Sequence, residues 1–385
     1  MSVVAAGGFR ASGLAAGIKA TGVADMALIA AEGPVAAAGV FTTSRTAAPP
    51  VQVSRRHLAD GTARAIVVNS GAANAGTGSG GLADALTMAE ETARALGCEP
   101  TDVLVCSTGP IGGRLPMDRI VAGIPRLVTD LGTSAANATA AASGILTTDS
   151  VTKSTAVEGD GWTVGGIAKG AGMVRPDMAT MLAFLTTDAV VSSSVLDDVL
   201  RPAVDATFNA LNIDGCQSTN DTVFLLASGA SGVEVGPLEL AAAVESVCRT
   251  LARQMAEDAE GASKVVTIEV SGATDDRAAR NLGRAIADSA LVRASFYGAD
   301  PNWGRVVAAL GVAGEEIEVD RVAIAYEGTA VCAGGILTPF DEGELSALLT
   351  GDFSLEVCVG SGPGRASVLT TDLTPDYVVF NGERS

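Results

Sequence analysis

Histidine is almost absent from this chain, because His57 is the one histidine among 385 residues. A Ser-His-Asp triad, a zinc helix with two histidines and a facial metal triad all need imidazole as base or ligand. The sequence therefore disfavours histidine-centred catalysis, and we expect His57 to be a surface residue with no catalytic part.

Positive charge is also scarce, with 25 Lys and Arg against 44 Asp and Glu and a net charge of −19. Nucleic acids and anionic membranes are gripped by clustered basic residues, so we expect neither as a partner. No apolar run reaches the ~18 residues of a membrane span, and the first twenty residues lack a signal-peptide pattern. We expect a cytoplasmic protein that acts on small molecules or assembles with other subunits.

The six cysteines are scattered, with no C-x-x-C pair and no metal-site spacing. We therefore expect no metal and predict reduced thiols in the core. They are Cys98, Cys106, Cys216, Cys248, Cys332 and Cys358.

Apolar residues make up 48% of the chain, aromatic residues only 4%, and 46 residues are glycine. This composition favours helices packed closely on sheets with many tight turns, in two or three packed units. The predicted class is α/β or α+β. Hydrophobic patterns predict strands over 65–69, 103–106, 162–167, 181–185 and 265–270, and a strand-like tail over 377–380. They predict helices over 82–96 ending at Gly97, over 194–211 with Ser194 as N-cap, over 237–259, and over 277–288. Pro202 is expected to kink the second of these helices or to mark its true start.

Three stretches carry polar residues that chemistry could use. The first, Lys169-Gly170-Ala171-Gly172-Met173, resembles a phosphate-binding loop but lacks both the G-K-[ST] ending and the third glycine of a dinucleotide fingerprint. The sequence therefore disfavours nucleotide binding, and a tight connection between strands with a solvated Lys169 explains the stretch better.

The second stretch, Cys106 to Gly112, follows a predicted strand and offers a hydroxyl and a glycine N–H, as an oxyanion hole requires. Ordinary turn chemistry explains the same residues. The third set consists of polar residues within otherwise apolar stretches, and each of them could also serve as a helix cap or belong to a turn. They are Asp214, Ser218 to Asp221, Glu260 and the run from Asp300 to Arg305.

Taken together, these motifs resemble the ornithine (glutamate N-) acetyltransferases, the bifunctional self-cleaving enzymes of arginine biosynthesis. The motif at the cleavage site is Lys169 to Met173 with Pro176 and Met178-Ala179-Thr180-Met181-Leu182. The other matches follow in order over nearly the whole chain: Asn69 to Gly78, Cys106 to Gly112, Thr147 to Asp149, Ser218 to Thr222, Glu260 to Ala262 and Asp300 to Arg305.

The resemblance implies an enzyme that cuts its own Ala179–Thr180 bond into an alpha chain, 1–179, and a beta chain, 180–385. The implied fold is a layered α-β-β-α sandwich related to N-terminal-nucleophile enzymes, with a smaller C-terminal α/β unit over roughly 280–385. Thr180 would take the acetyl group from N2-acetyl-L-ornithine and pass it to L-glutamate by a ping-pong mechanism. An N-terminal threonine supplies a hydroxyl nucleophile and an α-amine with a pKa of about 7.7–8.0, which replaces the missing imidazole as base.

The resemblance also assigns roles to residues. Thr108 and Gly109 match the oxyanion-hole pair, and the residues matching the substrate-binding positions are Thr147, Lys169, Thr180, Glu260, Asn381 and Ser385. It implies no cofactor, amino-acid substrates and a heterotetramer of two alpha and two beta chains, and it leaves acetyl-CoA open as a second acetyl donor. Two alternatives remain: an N-terminal-nucleophile aminopeptidase or amidase, and an inactive binding or assembly protein.

Overall fold

The computed structural model describes residues 2–174 and 181–383, and within them the chain forms fifteen strands and eleven helices. The strands are β1 (Phe9–Leu14), β2 (Met26–Phe41), β3 (Thr62–Ser70), β4 (Val103–Thr108), β5 (Lys153–Glu158), β6 (Thr163–Lys169), β7 (Leu182–Thr187), β8 (Leu211–Asn212), β9 (Thr222–Ala227), β10 (Val265–Ala273), β11 (Ala323–Tyr326), β12 (Thr329–Ala333), β13 (Ile336–Leu337), β14 (Phe353–Cys358) and β15 (Gly364–Thr371). The helices are α1 (Pro49–His57), α2 (Gly78–Leu96), α3 (Met117–Thr129), α4 (Ala135–Gly144), α5 (Ser193–Ala206), α6 (Pro237–Glu257), α7 (Asp276–Asp288), α8 (Ala290–Tyr297), α9 (Trp303–Leu310), α10 (Glu342–Leu348) and α11 (Pro375–Gly382).

The first compact unit contains the described residues 2–173, 181–208 and 216–255. Its eight-stranded sheet has the order β4-β3-β2-β9-β7-β6-β5, and β1 pairs with β2 beside that path. The β3–β4 and β7–β9 pairs are parallel, and their registers align Ser70 with Thr108 and Leu182 with Thr222. The loops that follow β3 and β4 therefore leave the sheet side by side, and the first residues of β7 and β9, Leu182 and Thr222, are likewise neighbours.

Both faces of this sheet are covered. Along β2, Ala27 and Ile29 belong to the apolar cluster that α4 completes, whereas Met26 and Leu28 belong to the cluster that α2 and α3 complete. This alternation follows from the two-residue period of a strand. Because both faces are covered, every position of β4, β7 and β9 is buried, and these strands appear in the sequence as continuous apolar runs.

The second compact unit contains the described residues 174, 209–215 and 256–383. Its seven-stranded sheet has the order β13-β12-β11-β14-β10-β15-β8. Helix α7 buries Ala278, Leu282 and Ile286 at four-residue spacing in the core that β10 and β15 share. The Asp275 side chain begins this helix by accepting the Ala278 N–H at 2.7 Å.

The structure confirms the predicted α/β class, since the described residues form two mixed sheets and eleven α-helices. The predicted strands and the helices over 82–96, 237–259 and 277–288 are present, with shifted ends. Gly97, at φ 68°, ends α2 in the left-handed conformation that favours glycine. No helix within residues 2–174 and 181–383 combines the length and apolar character needed to cross a membrane.

Four local predictions were wrong. The tail is helix α11 rather than a strand, because Thr374 caps its N-terminus and Pro375 occupies its first turn. The N-cap of α5 is Ser192 rather than Ser194. The helix continues through Pro202 but ends at Ala206, and Leu211 begins strand β8 instead of lying in the helix. Cys216 is exposed rather than in the core, although all six cysteines are free thiols. His57, by contrast, is partly exposed as a surface residue would be, and its Nδ1 lies 2.8 Å from the Val103 carbonyl oxygen.

Candidate active site

The turn after β4 carries Thr108 and Gly109, the predicted oxyanion-hole pair. The Thr108 carbonyl accepts the Gly71 N–H at 2.9 Å, which ties the turn to the loop after β3. Gly109 has φ 134°, and a Cβ there would lie 2.5 Å from the Ala72 nitrogen. Only glycine fits this position without moving backbone, so the turn is a close-packed and fixed structure.

Lys169 ends β6 and is buried, with 1% of its surface exposed. Its Nζ donates a hydrogen bond to Thr108 Oγ1 at 3.3 Å. The interpretation of Lys169 as a solvated surface residue is therefore wrong. Because the Thr108 oxygen accepts from an ammonium, the hydroxyl hydrogen is left for another acceptor. The contact joins two residues that lie 61 positions apart in the sequence.

Asp149 is the anion that holds this lysine-rich region together. Its Oδ1 accepts Lys153 Nζ and the Gly170 N–H, both at 2.7 Å, and its Oδ2 accepts the Thr147 N–H at 3.1 Å. The side chains of Asp149 and Lys153 are fully buried. Burial alone would raise the pKa of Asp149, but the charges of Lys169 and Lys153 and these hydrogen bonds lower it to about 2.

Asp149 and Lys153 were not predicted as site residues. The Thr147 to Asp149 run was noted in the sequence, but nothing in its pattern shows that the carboxylate pairs with Lys153 and feels the charge of Lys169. Thr147 itself is half-buried and lies at this cluster through its N–H bond to Asp149.

A third lysine, Lys19, adds positive charge to the same region. Its Nζ donates to the carbonyl oxygens of Ala24 and Leu146, at 2.9 and 2.7 Å. Burial lowers the pKa of Lys19, the charge of Lys169 lowers it further, and the Asp25 and Asp149 carboxylates raise it. A chain of net charge −19 thus concentrates three lysines around Asp149 and Asp25 at this place.

Amide side chains join the loops around the turn. Asn220 Nδ2 donates to the Ala73 carbonyl at 2.6 Å and to the Ser107 carbonyl at 2.9 Å. Ser107 Oγ donates to Asn69 Oδ1 at 2.6 Å, and Asn69 Nδ2 donates to the Ala72 carbonyl at 2.9 Å. These buried bonds hold the loops after β3 and β4 against the segment entering β9, so the backbone at the turn is preorganised.

Asp221 fixes the start of β7. It belongs to the Ser218 to Thr222 motif, and the sequence assigned it no role. Met181 donates its N–H to Asp221 Oδ1 at 2.8 Å, and the Met181 carbonyl accepts the Thr222 N–H at 3.2 Å. Asp221 is fully buried. Burial raises the pKa of its carboxyl well above the ordinary value, and the Met181 N–H and the Lys169 charge offset this only in part.

Two predicted substrate-binding residues belong to the second unit. Glu260 is half-buried and precedes Gly261, whose φ is 64° and whose added Cβ would lie 2.3 Å from the Tyr377 nitrogen. This close approach packs the Glu260–Gly261 turn against the first turn of α11. Asn381 lies exposed near the end of that helix, with Nδ2 donating to the Tyr377 carbonyl at 3.1 Å.

Three predicted site residues, Ala179, Thr180 and Ser385, lie outside the described residues, as do Pro176 and Met178 of the cleavage motif. The first unit therefore brings Thr108, Gly109, Thr147 and Lys169 together, and the second holds Glu260 and Asn381.

The described site offers a lysine, a threonine hydroxyl and preorganised backbone, with no imidazole. Cys106 lies next to the turn, but burial raises the pKa of its thiol far above the ordinary value, so it is no nucleophile. In the described part of the chain, no three of the His, Cys, Asp and Glu side chains are grouped so that they could hold a metal ion. Such an arrangement suits stabilisation of a developing oxyanion and of a carboxylate.

Comparisons with known proteins agree with this chemistry. A family model described as the ArgJ family matches residues 10–385. The arginine biosynthesis bifunctional protein ArgJ of Mycolicibacterium paratuberculosis is 49% identical over 391 residues, which cover 100% of this chain and 96% of that protein. The protein of the same name from Thermobifida fusca is 47% identical over 390 residues, with 100% of both covered.

Among solved structures, ornithine acetyltransferase from Mycobacterium tuberculosis, determined with ornithine bound, is 48% identical to this chain. The match covers 46% of this chain and 94% of that chain, with a TM-score of 0.45.

Proposed function

The chain belongs to the ArgJ family, and from that premise we propose that it transfers the acetyl group of N2-acetyl-L-ornithine to L-glutamate through an acetyl-Thr180 intermediate. The observation that carries the proposal is the buried contact of Lys169 Nζ with Thr108 Oγ1 at 3.3 Å. This contact joins the residue proposed to hold a substrate carboxylate to the residue proposed to hold the oxyanion.

In the first half-reaction, the Thr180 hydroxyl attacks the acetyl carbonyl of N2-acetyl-L-ornithine while the Thr180 α-amine takes the hydroxyl proton. The carbonyl oxygen becomes an oxyanion, which the Thr108 hydroxyl and the Gly109 N–H stabilise. Collapse of the intermediate expels ornithine, whose nitrogen receives the proton. In the second half-reaction the glutamate amine attacks the acetyl ester, and Thr180 is regenerated. A nearby α-amine suits both proton transfers because its ordinary pKa lies close to neutral pH.

The Thr180 amine exists only after the bond to Ala179 is cut, so self-cleavage forms part of the proposal. The Thr180 hydroxyl attacks the Ala179 carbonyl, the acyl group moves from nitrogen to oxygen, and water hydrolyses the ester. The products are an alpha chain, 1–179, and a beta chain, 180–385. We propose that two copies of each chain assemble in the cytoplasm. Acetyl-CoA is a candidate second acetyl donor.

The proposal is tested by intact-mass spectrometry of the purified protein incubated with N2-acetyl-L-ornithine. We expect two fragments that meet at the Ala179–Thr180 bond, and a beta fragment heavier by one acetyl group. Addition of L-glutamate should remove that mass and produce N-acetyl-L-glutamate. The matched control is Thr180→Ala, which should remain a single, unacetylated chain.

Other outcomes separate the alternatives. If the acetyl group leaves equally fast with and without glutamate, the protein is a hydrolase of the aminopeptidase or amidase type. A wild-type protein that stays one unmodified chain would support a binding or assembly role instead. Membership of a family of named bifunctional enzymes favours the transferase.

We propose that Glu260 binds an amino group of the substrate, because a half-buried carboxylate suits an ammonium ion. Glu260→Gln should raise the KM for N2-acetyl-L-ornithine about tenfold, the equivalent of ~1.4 kcal/mol, with little change in kcat. Steady-state kinetics with varied donor checks this, and Glu257→Gln, an exposed change on α6, is the control. An unchanged KM would remove the amino-group role.

A further inference from the structure

Asp221 is a buried aspartate next to the proposed nucleophile's strand, and it has no role in the proposed mechanism. It ends the polar segment that enters β9, and it has no exposed surface. Its main-chain carbonyl accepts the Thr42 N–H at 2.9 Å, so its backbone is anchored to the segment after β2. A buried aspartate destabilises the folded state unless its polar atoms form hydrogen bonds.

The side chain holds the peptide group next to Thr180. Asp221 Oδ1 accepts the Met181 N–H at 2.8 Å, and that nitrogen is bonded to the Thr180 carbonyl carbon. Only two carbon atoms separate it from the Thr180 α-nitrogen. A group that fixes the Met181 N–H therefore acts on the peptide through which Thr180 joins β7.

A second bond fixes the other side of the same residue. The Met181 carbonyl accepts the Thr222 N–H at 3.2 Å, and Met181 is buried with 2% of its surface exposed. The β7–β9 pairing then continues in register from Leu182 and Thr222. The main chain on the carboxyl side of Thr180 is thus held at two successive polar groups.

The Asp221 carboxyl uses one of its two oxygens in this contact. Its Oδ2 is buried and accepts no hydrogen bond from the described residues. Burial raises the pKa of Asp221 above the ordinary value, while the Met181 N–H and the Lys169 charge lower it.

We propose that Asp221 is a positioning residue for Thr180, and that its side chain acts as a hydrogen-bond acceptor that holds the Thr180–Met181 peptide in place for self-cleavage and acetyl transfer. The inference rests on the proposed function. It assigns no proton transfer to Asp221.

The test compares Asp221→Asn with Asp221→Ala. The asparagine side chain keeps an oxygen for the Met181 N–H and carries no charge, whereas alanine removes the acceptor. We expect Asp221→Asn to retain self-cleavage and kcat within about threefold of wild type, with an unchanged pH profile. In Asp221→Ala, both rates should fall at least tenfold. Self-cleavage is followed by intact mass and kcat by ornithine release.

Asp188 provides a matched control at the opposite end of β7. Its carboxylate accepts the backbone N–H groups of Gly7 and Thr163, both at 2.8 Å. Asp188→Ala removes a buried-backbone acceptor of the same kind just past the other end of β7, so it should lower the unfolding temperature without slowing self-cleavage. If Asp221→Ala fails to fold, Asp221→Leu, which fills the space without an acceptor, takes its place.

Two results would overturn the inference. One is an Asp221→Asn enzyme as slow as Asp221→Ala, or one with a displaced pH profile, because either shows that the ionisable group itself acts. The other is an Asp221→Ala enzyme that cleaves and turns over at the wild-type rate. Failure of the proposed function looks different, since the wild-type protein would then show no cleavage or acetyl-Thr180.

Discussion

Replacing Asp149 with alanine is expected to lower the free energy of unfolding by about 3–5 kcal/mol, because it removes the buried anion that pairs with Lys153 and whose charge offsets that of Lys169. Asp149 and Lys153 have no exposed side-chain surface, and their atoms meet at 2.7 Å. The same carboxylate accepts the Gly170 N–H at 2.7 Å, so the segment after β6 also loses its anchor. Urea unfolding at pH 7 measures the change.

The matched control is Asp197→Ala. Asp197 pairs with Arg201 at the same four-residue spacing and the same 2.7 Å distance, but both side chains are largely exposed. Exposed pairs contribute about 0.5 kcal/mol or less, so this variant should be nearly as stable as wild type. Equal losses in the two variants would contradict the role of burial at Asp149. Asp149→Asn should lie between them, because its amide keeps some of the hydrogen bonds but not the charge.

The stabilisation by Asp149 should also depend on pH. Its pKa is lowered to about 2 in the folded protein, below the ordinary value of 3.8. A carboxyl with a depressed folded pKa stabilises the protein above the unfolded pKa, and the effect is lost as pH falls toward the folded pKa. The contribution is about 2.5 kcal/mol. The difference in unfolding free energy between wild type and Asp149→Ala should therefore be largest at pH 6 and decrease progressively between about pH 5 and pH 2.

The sequence predicted the elements whose residues are close together in the chain. The apolar spacing and Gly97 predicted α2, and the β-branched run over 65–69 predicted β3. The predicted strand at the tail was wrong because the run Tyr377 to Phe380 consists of strand-forming residues. The residues that start a helix there, Thr374 as N-cap and Pro375 in the first turn, lie before that run.

The candidate site was predictable only in part, for a physical reason. Family motifs singled out Thr108, Gly109 and Lys169, but the partnership of Asp149 with two lysines depends on how β5 and β6 pair. The role of Asp221 depends on the parallel register of β7 and β9. Contacts of this kind join residues 40 positions apart, as in the Met181–Asp221 bond, so no local spacing encodes them.

Gly109→Ala is expected to lower kcat by about 10²–10³-fold, the usual effect of losing one oxyanion-hole donor. The change places a Cβ 2.5 Å from the Ala72 nitrogen and 2.7 Å from the Gly71 carbonyl carbon. Both neighbours are backbone atoms, so the turn itself must shift. That shift moves the Gly109 N–H and the adjoining Thr108 hydroxyl away from the reacting oxygen.

Gly112 and Gly113 separate this steric effect from others in the same loop. Gly112 also has a positive φ, 97°, but an added Cβ meets nothing within 4 Å, so Gly112→Ala carries only the conformational strain. An added Cβ at Gly113 is free of contact as well, and its φ lies outside the left-handed range, so Gly113→Ala should be close to neutral. We expect kcat to fall steeply in Gly109→Ala alone, because displacement of the turn, rather than loss of a glycine from the loop, removes the oxyanion donors. Equal kcat values for the Gly109 and Gly112 variants would contradict this assignment.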